Sequence, residues 1–507
     1  MTRSRRRRQG IVRWIESLIK SNSDSRLAGH IRSKITWNRI FRVVSYTKSS
    51  LWIVPIVAIV LELIAIRVTH ALDAWLLWPL WQRGLQASET MLQTIITLNL
   101  SFMVFTFGSL LVAIQVASGQ MTPRIIATTL LRDNVVRYSV GLFVFTLMFA
   151  VSTLSRTEKE VHQLPVFFAG LLGIFSIAVF LYLIDYASKL LRPVSVAIHI
   201  GKMGLEVIDS VYPQETREPT APATPAVSDH THGHLSIVGL LGAKALSAIK
   251  SAYPQPIKSI EAPAISDRGL GLPERTVLHQ DKGEIILAVD LDALVDEAEA
   301  ADGIIEFVPH VGDFIGVGEP LFLLYGGTAA IDDWKLRASV AFGPERTMEQ
   351  DPTFAFRILV DIGLKALSPA INDPTTAVLV IDQLQRLLRM AGLRHLHDDT
   401  LRDDAGRPRL IFRTPNWGDF VHLTFTEIRH CGAGQVQIAR RLRAVIENLI
   451  YTLPEHRHQA LWNELDLLNR MIEQHYTLPE DKALALIPDS QGLGGSTIRH
   501  ALSRKED

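Results

Sequence analysis

Four apolar runs in the first 190 residues constrain this chain more than anything else in it. They cover residues 51–68, 91–118, 138–154 and 165–183. A helix needs about 20 apolar residues to cross roughly 30 Å of hydrocarbon. Backbone polar groups find no water at that depth, so a span must satisfy them internally, as a helix does. The first run is just long enough to cross, and the second can cross with a tilt. The polar loop 155–164 is short, so the third and fourth runs form a hairpin. Residues 69–90 carry Trp75, Trp78 and Trp81, which suit an interfacial aromatic belt. An apolar fraction of 48% and a mean hydropathy of +0.18 agree with an α-helical membrane domain of four transmembrane helices over residues 51–186.

Charge gives the orientation. Residues 1–50 hold 13 Lys and Arg, and Arg124, Arg132 and Arg137 lie between the second and third runs. The opposite side holds only Arg67, Arg83, Arg156 and Lys159. Positive charge stays inside, so both termini are expected on the cytoplasmic side of the plasma (inner) membrane. The basic N-terminal segment 1–50 opens with Arg3 and Arg5 to Arg8. As a membrane flank it needs no nucleic acid, although a nucleic-acid arm has the same composition. No long apolar stretch follows for about forty residues, which argues against a cleaved signal. Residues 11–19 have the pattern of a short amphipathic surface helix. The single cysteine, Cys431, excludes an intramolecular disulfide framework and metal–thiolate clusters, and it suits a reducing compartment.

Beyond the spans, residues 184–212 read as a helix leaving the membrane, within a helix-and-linker segment 187–264. Residues 214–234 are rich in Pro, Thr and Ala and read as a linker. His230, His232 and His234 within it could chelate a metal or simply belong to an unstructured tract. Residues 265–330 form a small β-rich, β-sandwich-like module. Strands are expected at 284–289, 304–308 and 321–325, a helix at 291–300, and Gly turns at Gly312, Gly316 and Gly318. The pattern resembles half of a lipoyl-type sandwich, but residues 283–325 contain no Lys or Arg to carry a swinging arm. Residues 331–485 read as mainly helical. They contain one more strand at 409–413 and helices at 417–430, 435–451 and 455–476, and the Gly- and Ser-rich segment 486–507 follows as a tail. The fold class is thus a four-helix membrane domain followed by a cytoplasmic α+β domain with a β-module and a helical core.

Residues 346–382 are dense in polar groups between apolar helical runs. The tripeptide Asp-Pro-Thr occurs at Asp351 and again at Asp373, 22 residues later. In each, Asp can cap a helix whose first position is Pro, where a missing N–H costs nothing. The spacing predicts helices over 352–367 and 374–390, the first ended by Ser368-Pro369, packed as a hairpin. Arg346-Thr-x-Glu349-Gln350-Asp351-Pro352 and Ala366-Leu367-Ser368-Pro369-Ala370-x-Asn372-Asp373-Pro374 resemble the signature of domain-of-unknown-function family 2254. Ser118-Gly-Gln-x-x-Pro123-Arg124, Gly312-Asp313-Phe314 and Trp417-Gly-Asp-Phe420 match it too. The resemblance covers about residues 50–480 and implies a bacterial multi-pass membrane protein with a cytoplasmic domain. It brings no accepted activity and no catalytic residues.

Three constellations are candidates for chemistry. Glu62 lies well inside the first span, where a carboxylate is expensive and faces an interior or a water path. It is either an ion or proton site, or a helix-packing hydrogen bond to a residue such as Asn99 or Ser101. In the second span Thr94, Ser101, Gly108 and Gln115 recur every seven residues on one stripe, interrupted by Val112. Small residues there permit helix packing, and the same stripe around an oligomer axis would line a pore, with Ser101, Gln115 and Ser118 as its polar members. Gln120 and Arg124 follow at the cytoplasmic mouth, where Arg124 could meet an anion or anchor in the inner leaflet. In the central stretch, the capped helix starts near Arg346 could attract an anion. Glu349, Asp351, Asn372 and Asp373 could hold a cation, or the cluster could knit the domain together.

No nucleophile–base pair, Walker loop, dinucleotide fingerprint or zinc-protease motif is present, and no cofactor or resident metal is implied. The leading expectation is an oligomeric channel or transport protein with a cytoplasmic regulatory domain. Its expected partners are the bilayer, further copies of itself and an unidentified ligand or ion. A membrane-anchored sensory or scaffold protein is the alternative, and a membrane-surface enzyme the third.

Overall fold

A computed structural model describes residues 37–50, 52–76, 84–120, 133–156, 163–190, 192–213, 270–396 and 399–489. The histidines of the 214–234 segment, the 11–19 helix and Arg124 lie outside the described residues.

The four apolar runs are helices: α2 (Ile53–Leu76), α3 (Leu85–Gln120), α4 (Asn134–Arg156) and α5 (Gln163–Leu190), preceded by α1 (Trp37–Ser49). Each contains a segment long and apolar enough to cross a membrane: Ile53–Asp73, Leu85–Val112, Asn134–Arg156 and Gln163–Ala187. Helix α2 extends past the apolar run ending at residue 68 because backbone bonding continues through the more polar stretch from Thr69 to Asp73. Helix α4 is the most buried of the four, and both α2 and α3 pack against α4 and α5. Close approach depends on small residues. A Cβ on Gly141 would meet Val54 Cγ1 at 2.6 Å, and one on Gly173 would meet Ile95 Cγ1 at 2.9 Å. Two apolar clusters fill the bundle. One joins Ile66, Leu92, Ile95, Phe149, Val166 and Ala169, and the other joins Phe102, Val136, Val140, Phe143 and Leu183. The outer faces carry exposed Leu61, Val104 and Ile174, as a lipid-facing surface requires.

The expected continuous helix over 184–212 is broken. Helix α5 stops at Leu190, Arg192 is extended, and Pro193 opens α6 (Pro193–Val211). Proline lacks the N–H that would continue the ladder and forces the preceding residue out of helical angles. Two sheets follow. They are built from β1 (Arg275–Leu278), β2 (Glu284–Val289), β3 (Gly303–Phe307), β4 (Phe314–Ile315), β5 (Pro320–Gly326), β6 (Val340–Gly343), β7 (Thr400–Arg402) and β8 (Pro408–Phe412). The five-stranded sheet runs β1-β5-β3-β8-β7 and the three-stranded sheet β4-β2-β6. Both contribute to one apolar cluster with α7 (Leu291–Ala300) and α8 (Asp333–Ala338). Strands β6, β7 and β8 lie past residue 330, so the sheets are not confined to 265–330. Strand β8 pairs parallel with β3 across about a hundred residues, a partnership that local alternation cannot announce.

The helical core contains α6, α9 (Pro352–Leu367), α10 (Pro374–Gly392), α11 (Trp417–Gly432), α12 (Val436–Thr452), α13 (His458–His475) and α14 (Pro479–Ala485). Helix α6 lies flush on α9 and α10 because glycines stand at its closest approaches, among buried Ala197, Ile200 and Ile208. A Cβ on Gly201 would meet Gln383 Oε1 at 2.7 Å, and one on Gly204 would meet Ala355 Cβ at 2.8 Å. Two buried ion pairs cross this core, Arg441 with Asp382 and Arg429 with Glu464. Helix α1 bridges to the bundle. Its Trp37 and Phe41 pack on Leu287, Ala288 and Ala341, while Arg137 at the start of α4 donates to Thr47 O at 3.0 Å.

Candidate functional site

The bundle interior follows from helical spacing. On α2, Ala58, Glu62 and Ile66 recur every four residues and are all buried. On α3, Leu92, Ile95, Asn99, Phe102 and Thr106 form the inward face. On α4 it is Phe143, Thr146, Phe149 and Thr153, and on α5 it is Ala169, Ser176 and Leu183. Each helix therefore buries at least one polar residue, and one per helix lies in the middle of the apolar stretch: Glu62, Asn99, Thr146 and Ser176. On α3, α4 and α5 this residue falls between members of the two apolar clusters. For α2, Ile66 belongs to the first cluster, and Val54 touches Gly141, next to Val140 of the second. Glu62 is about 6 Å along the axis from Ile66 and about 12 Å from Val54. The four residues thus form a polar layer between two apolar ones.

Their hydrogen bonding is incomplete. Ser176 Oγ donates to Thr146 Oγ1 at 3.2 Å, and Asn99 Nδ2 donates to Ile95 O at 2.9 Å. Thr106 and Thr153 donate to carbonyls of their own helices. Glu62, at 0% exposure, has no partner for either carboxyl oxygen among the described residues, and Asn99, at 1%, has none for Oδ1. Burying an unpartnered acceptor costs about 1–3 kcal/mol, so this layer is not explained by packing. The sequence pointed to Glu62 by its charge. Thr146 and Ser176 were missed because a hydroxyl in an apolar run reads as neutral. Their inward position was the missing signal.

The stripe on α3 faces the other way. Thr94, Ser101, Gly108 and Gln115 are all exposed, as is Val112. Thr94 donates to Thr90 O and Ser101 to Thr97 O, each at 2.8 Å, so their hydroxyls are satisfied within the helix. A Cβ on Gly108 would touch nothing within 4 Å, so none of the described helices packs there. Gln115 lies on the same helix, near the end of the apolar run 91–118. Within one chain the stripe and Glu62 do not share a path. Ser118 and Gln120 belong to the last turn of α3, and their side chains lie outside the described residues.

The central stretch folds locally as its sequence predicts. Asp351 Oδ1 accepts from Phe354 N at 3.2 Å and Asp373 Oδ1 from Thr376 N at 3.1 Å, each with Pro next in the helix. Asn372 holds φ +46°, a left-handed position that Asn tolerates, in the turn joining α9 to α10. The polar residues do not converge on one point. Asp351 begins α9 and Asp373 follows its end, so 16 residues of helix, about 24 Å, separate the caps. The expected cation set of Glu349, Asp351, Asn372 and Asp373 therefore does not assemble. Among the described residues no group of three His, Cys, Asp or Glu could hold a metal. The helix starts are filled by their own carboxylates, which leaves no free anion site at either.

The first half of the stretch instead meets other segments. Arg346 Nε donates to Asp351 Oδ2 at 3.0 Å, and Gln350 clamps the end of β2 through Val289 N and O. Gly312 has φ +97°, and a Cβ there would sit 2.5 Å from Asp351 Oδ2 and 2.7 Å from Arg346 Nη2. Next to it, Asp313 accepts from His310 N at 2.9 Å. Burial pushes the Asp313 carboxyl up, but the His310 hydrogen bonds and the charges of His310 and Arg346 outweigh it and hold it below the usual range. Tyr212, at the end of α6, is pushed up to about 12 by burial, against a hydrogen bond with Thr414 and with help from the Asp351 and Asp419 charges. Phe420 packs edge-on against Tyr212 and tilted against Phe356. Three motif-bearing segments thus join around the helix that arrives from the bundle.

These features define a class: a membrane protein with four candidate spans and a mixed helix-and-sheet region. The model of the DUF2254 family, described as predicted membrane protein, matches residues 48–448, and the chain belongs to that family. Three similar proteins, one from Mycobacterium bovis and two from strains of Mycobacterium tuberculosis, are each described only as an uncharacterized protein. Each is 25% identical over 483 residues, spanning 89% of this chain and 81% of the relative. No solved structure matches the chain.

Proposed function

We propose that this protein is a transport or channel protein whose path runs through the interior of its four-helix bundle. The observation that carries this reading is the Glu62 carboxyl, fully buried with neither oxygen partnered among the described residues. Intramembrane carboxylates are costly and mark ion or proton pathways. The excess of Lys and Arg in residues 1–50 supports a cytoplasmic position, at the inner membrane, for the termini and the helix-and-sheet region. There that region regulates the bundle through α6, which leads from α5 into the helical core. The outward stripe on α3 is the surface through which copies of the chain associate.

Ion flux through the purified protein in liposomes tests the reading. Glu62→Gln is expected to abolish flux and Gln115→Leu to leave it near the wild-type rate. The reverse pattern moves the path to an interface between copies. An absence of flux under varied salt, pH and voltage leaves the spans as an anchor. The self-satisfied hydroxyls of Thr94 and Ser101 favour that second reading, a membrane-anchored sensory or scaffold protein.

A further inference from the structure

The layer of Glu62, Asn99, Thr146 and Ser176 is one residue deep and is drawn from all four helices. Its unpartnered atoms are all acceptors: the two oxygens of Glu62 and Oδ1 of Asn99. Such a set is completed by a positively charged species or by a proton. A hard metal cation takes about six or more oxygen ligands. The layer offers three open ones, while the Ser176 and Thr146 hydroxyls bond to each other. Its neighbours along the helices are Ile66, Ile95, Phe102, Phe143 and Phe149, which supply no further ligand. No other titratable side chain lies in the intervening stretches: residues 58–66 of α2 apart from Glu62, 92–102 of α3 and 143–149 of α4. In 169–183 of α5 the one such group is Tyr182, which is exposed. Arg67 on α2 is exposed as well. No cation therefore neutralises Glu62 from within the layer, and a bare carboxylate in so apolar a site is strongly disfavoured.

We propose that this polar layer is a proton-binding site, in which Glu62 takes up a proton and Asn99 Oδ1 accepts the resulting O–H. The step is a simple protonation: the carboxylate gains one proton, one oxygen becomes a donor, and the net charge of the layer goes from −1 to zero. The inference rests on the transport reading for its role, because it names the proton as the species that reading moves. The Thr146–Ser176 hydroxyl pair at the same depth is the adjoining relay.

Infrared difference spectroscopy on the full-length protein in liposomes, wild type minus Glu62→Gln, tests it. The expected result is a protonated-carboxyl band at neutral pH that Glu62→Gln removes, that Asn99→Leu shifts in frequency, and that Na⁺ and K⁺ leave unchanged. Glu62→Gln keeps the shape of the neutral side chain, and its thermal midpoint reports whether the fold is retained. Carboxylate bands in place of the protonated band, or a band that depends on Na⁺ or K⁺, overturn the proton assignment. The two readings fail separately. A protonated Glu62 with flux untouched by Glu62→Gln sustains the proton site and sinks the transport role. An ionised Glu62 whose loss stops flux does the opposite.

Discussion

Replacing Glu62 with methionine should make the bundle more stable and remove its function at the same time. Glu62 is fully buried, and three acceptors in its layer lack partners among the described residues. Each unsatisfied buried polar group costs about 1–3 kcal/mol. A proton shared between Glu62 and Asn99 recovers part of that, since hydrogen bonds between membrane helices average about 0.6 kcal/mol. Methionine has a similar length, no charged atom and an adaptable chain that fills irregular space. The net gain expected for Glu62→Met is about 0.5–2.5 kcal/mol, which is about 2- to 70-fold in the opening equilibrium of the bundle. Hydrogen exchange of the α4 amides in detergent reads that ratio on the helix that packs against α2, α3 and α5. Slower exchange in Glu62→Met, together with loss of flux in liposomes, is the expected pair of results. Faster exchange by tenfold or more would refute the reasoning, because it would mean that the Glu62 oxygens make a stabilising contact in the assembled protein.

The remaining predictions concern the helix-and-sheet region. Asp382→Ala leaves Arg441, 1% exposed, as an unpaired buried cation; a loss of about 3–5 kcal/mol is expected, read as faster exchange in α10 and α12, and a change of less than tenfold contradicts it. Asp373→Ala removes a cap and should destabilise by about 1 kcal/mol; a loss of flux without that modest shift in thermal midpoint would instead assign Asp373 a functional contact. Gly312→Ala forces a side chain into φ +97° and onto the Arg346–Asp351 pair, so a loss of about 1–3 kcal/mol is expected, visible as faster exchange at Phe354; unchanged exchange there would show that the pair does not depend on the turn. Asp313 is held below the usual carboxylate range in the folded state, so its contribution is present above the unfolded value of about 4 and is lost as pH falls through the folded value. The thermal midpoint of Asp313→Asn should therefore fall less steeply on acidification than that of the wild type, and parallel curves would show that Asp313 is not responsible.

Local chemistry was legible from the chain alone. Helices α9 and α10 begin at the two Asp-Pro-Thr tripeptides because a cap and a following proline act within a single turn. The four apolar runs announced four candidate spans because hydrocarbon imposes a length and an apolar composition on each helix separately. Even the break before α6 was written in Pro193, although the apolar run preceding it read as continuous. Partnership was not written locally. The pairing of β3 with β8 depends on the route of the chain between them, and the meeting of Gly312 with Asp351 depends on how the sheets dock on α9.

The membrane domain shows the division most clearly. Asn99 and Ser101 are two residues apart on one apolar helix, so they point about 200° apart at 100° per residue. Composition fixed that both lie in a span. Which of the two faces lipid is a property of the packed bundle, since it is set by the contacts of α3 with α4 and α5. The tertiary structure turned Asn99 inward beside the apolar clusters and Ser101 outward, and it brought Thr146 and Ser176 into hydrogen-bond contact from different helices. Length and hydropathy therefore determined that this chain carries four helices able to cross a membrane. The layer around Glu62 arose only from the rotation of four helices about their axes, a quantity that hydropathy does not encode.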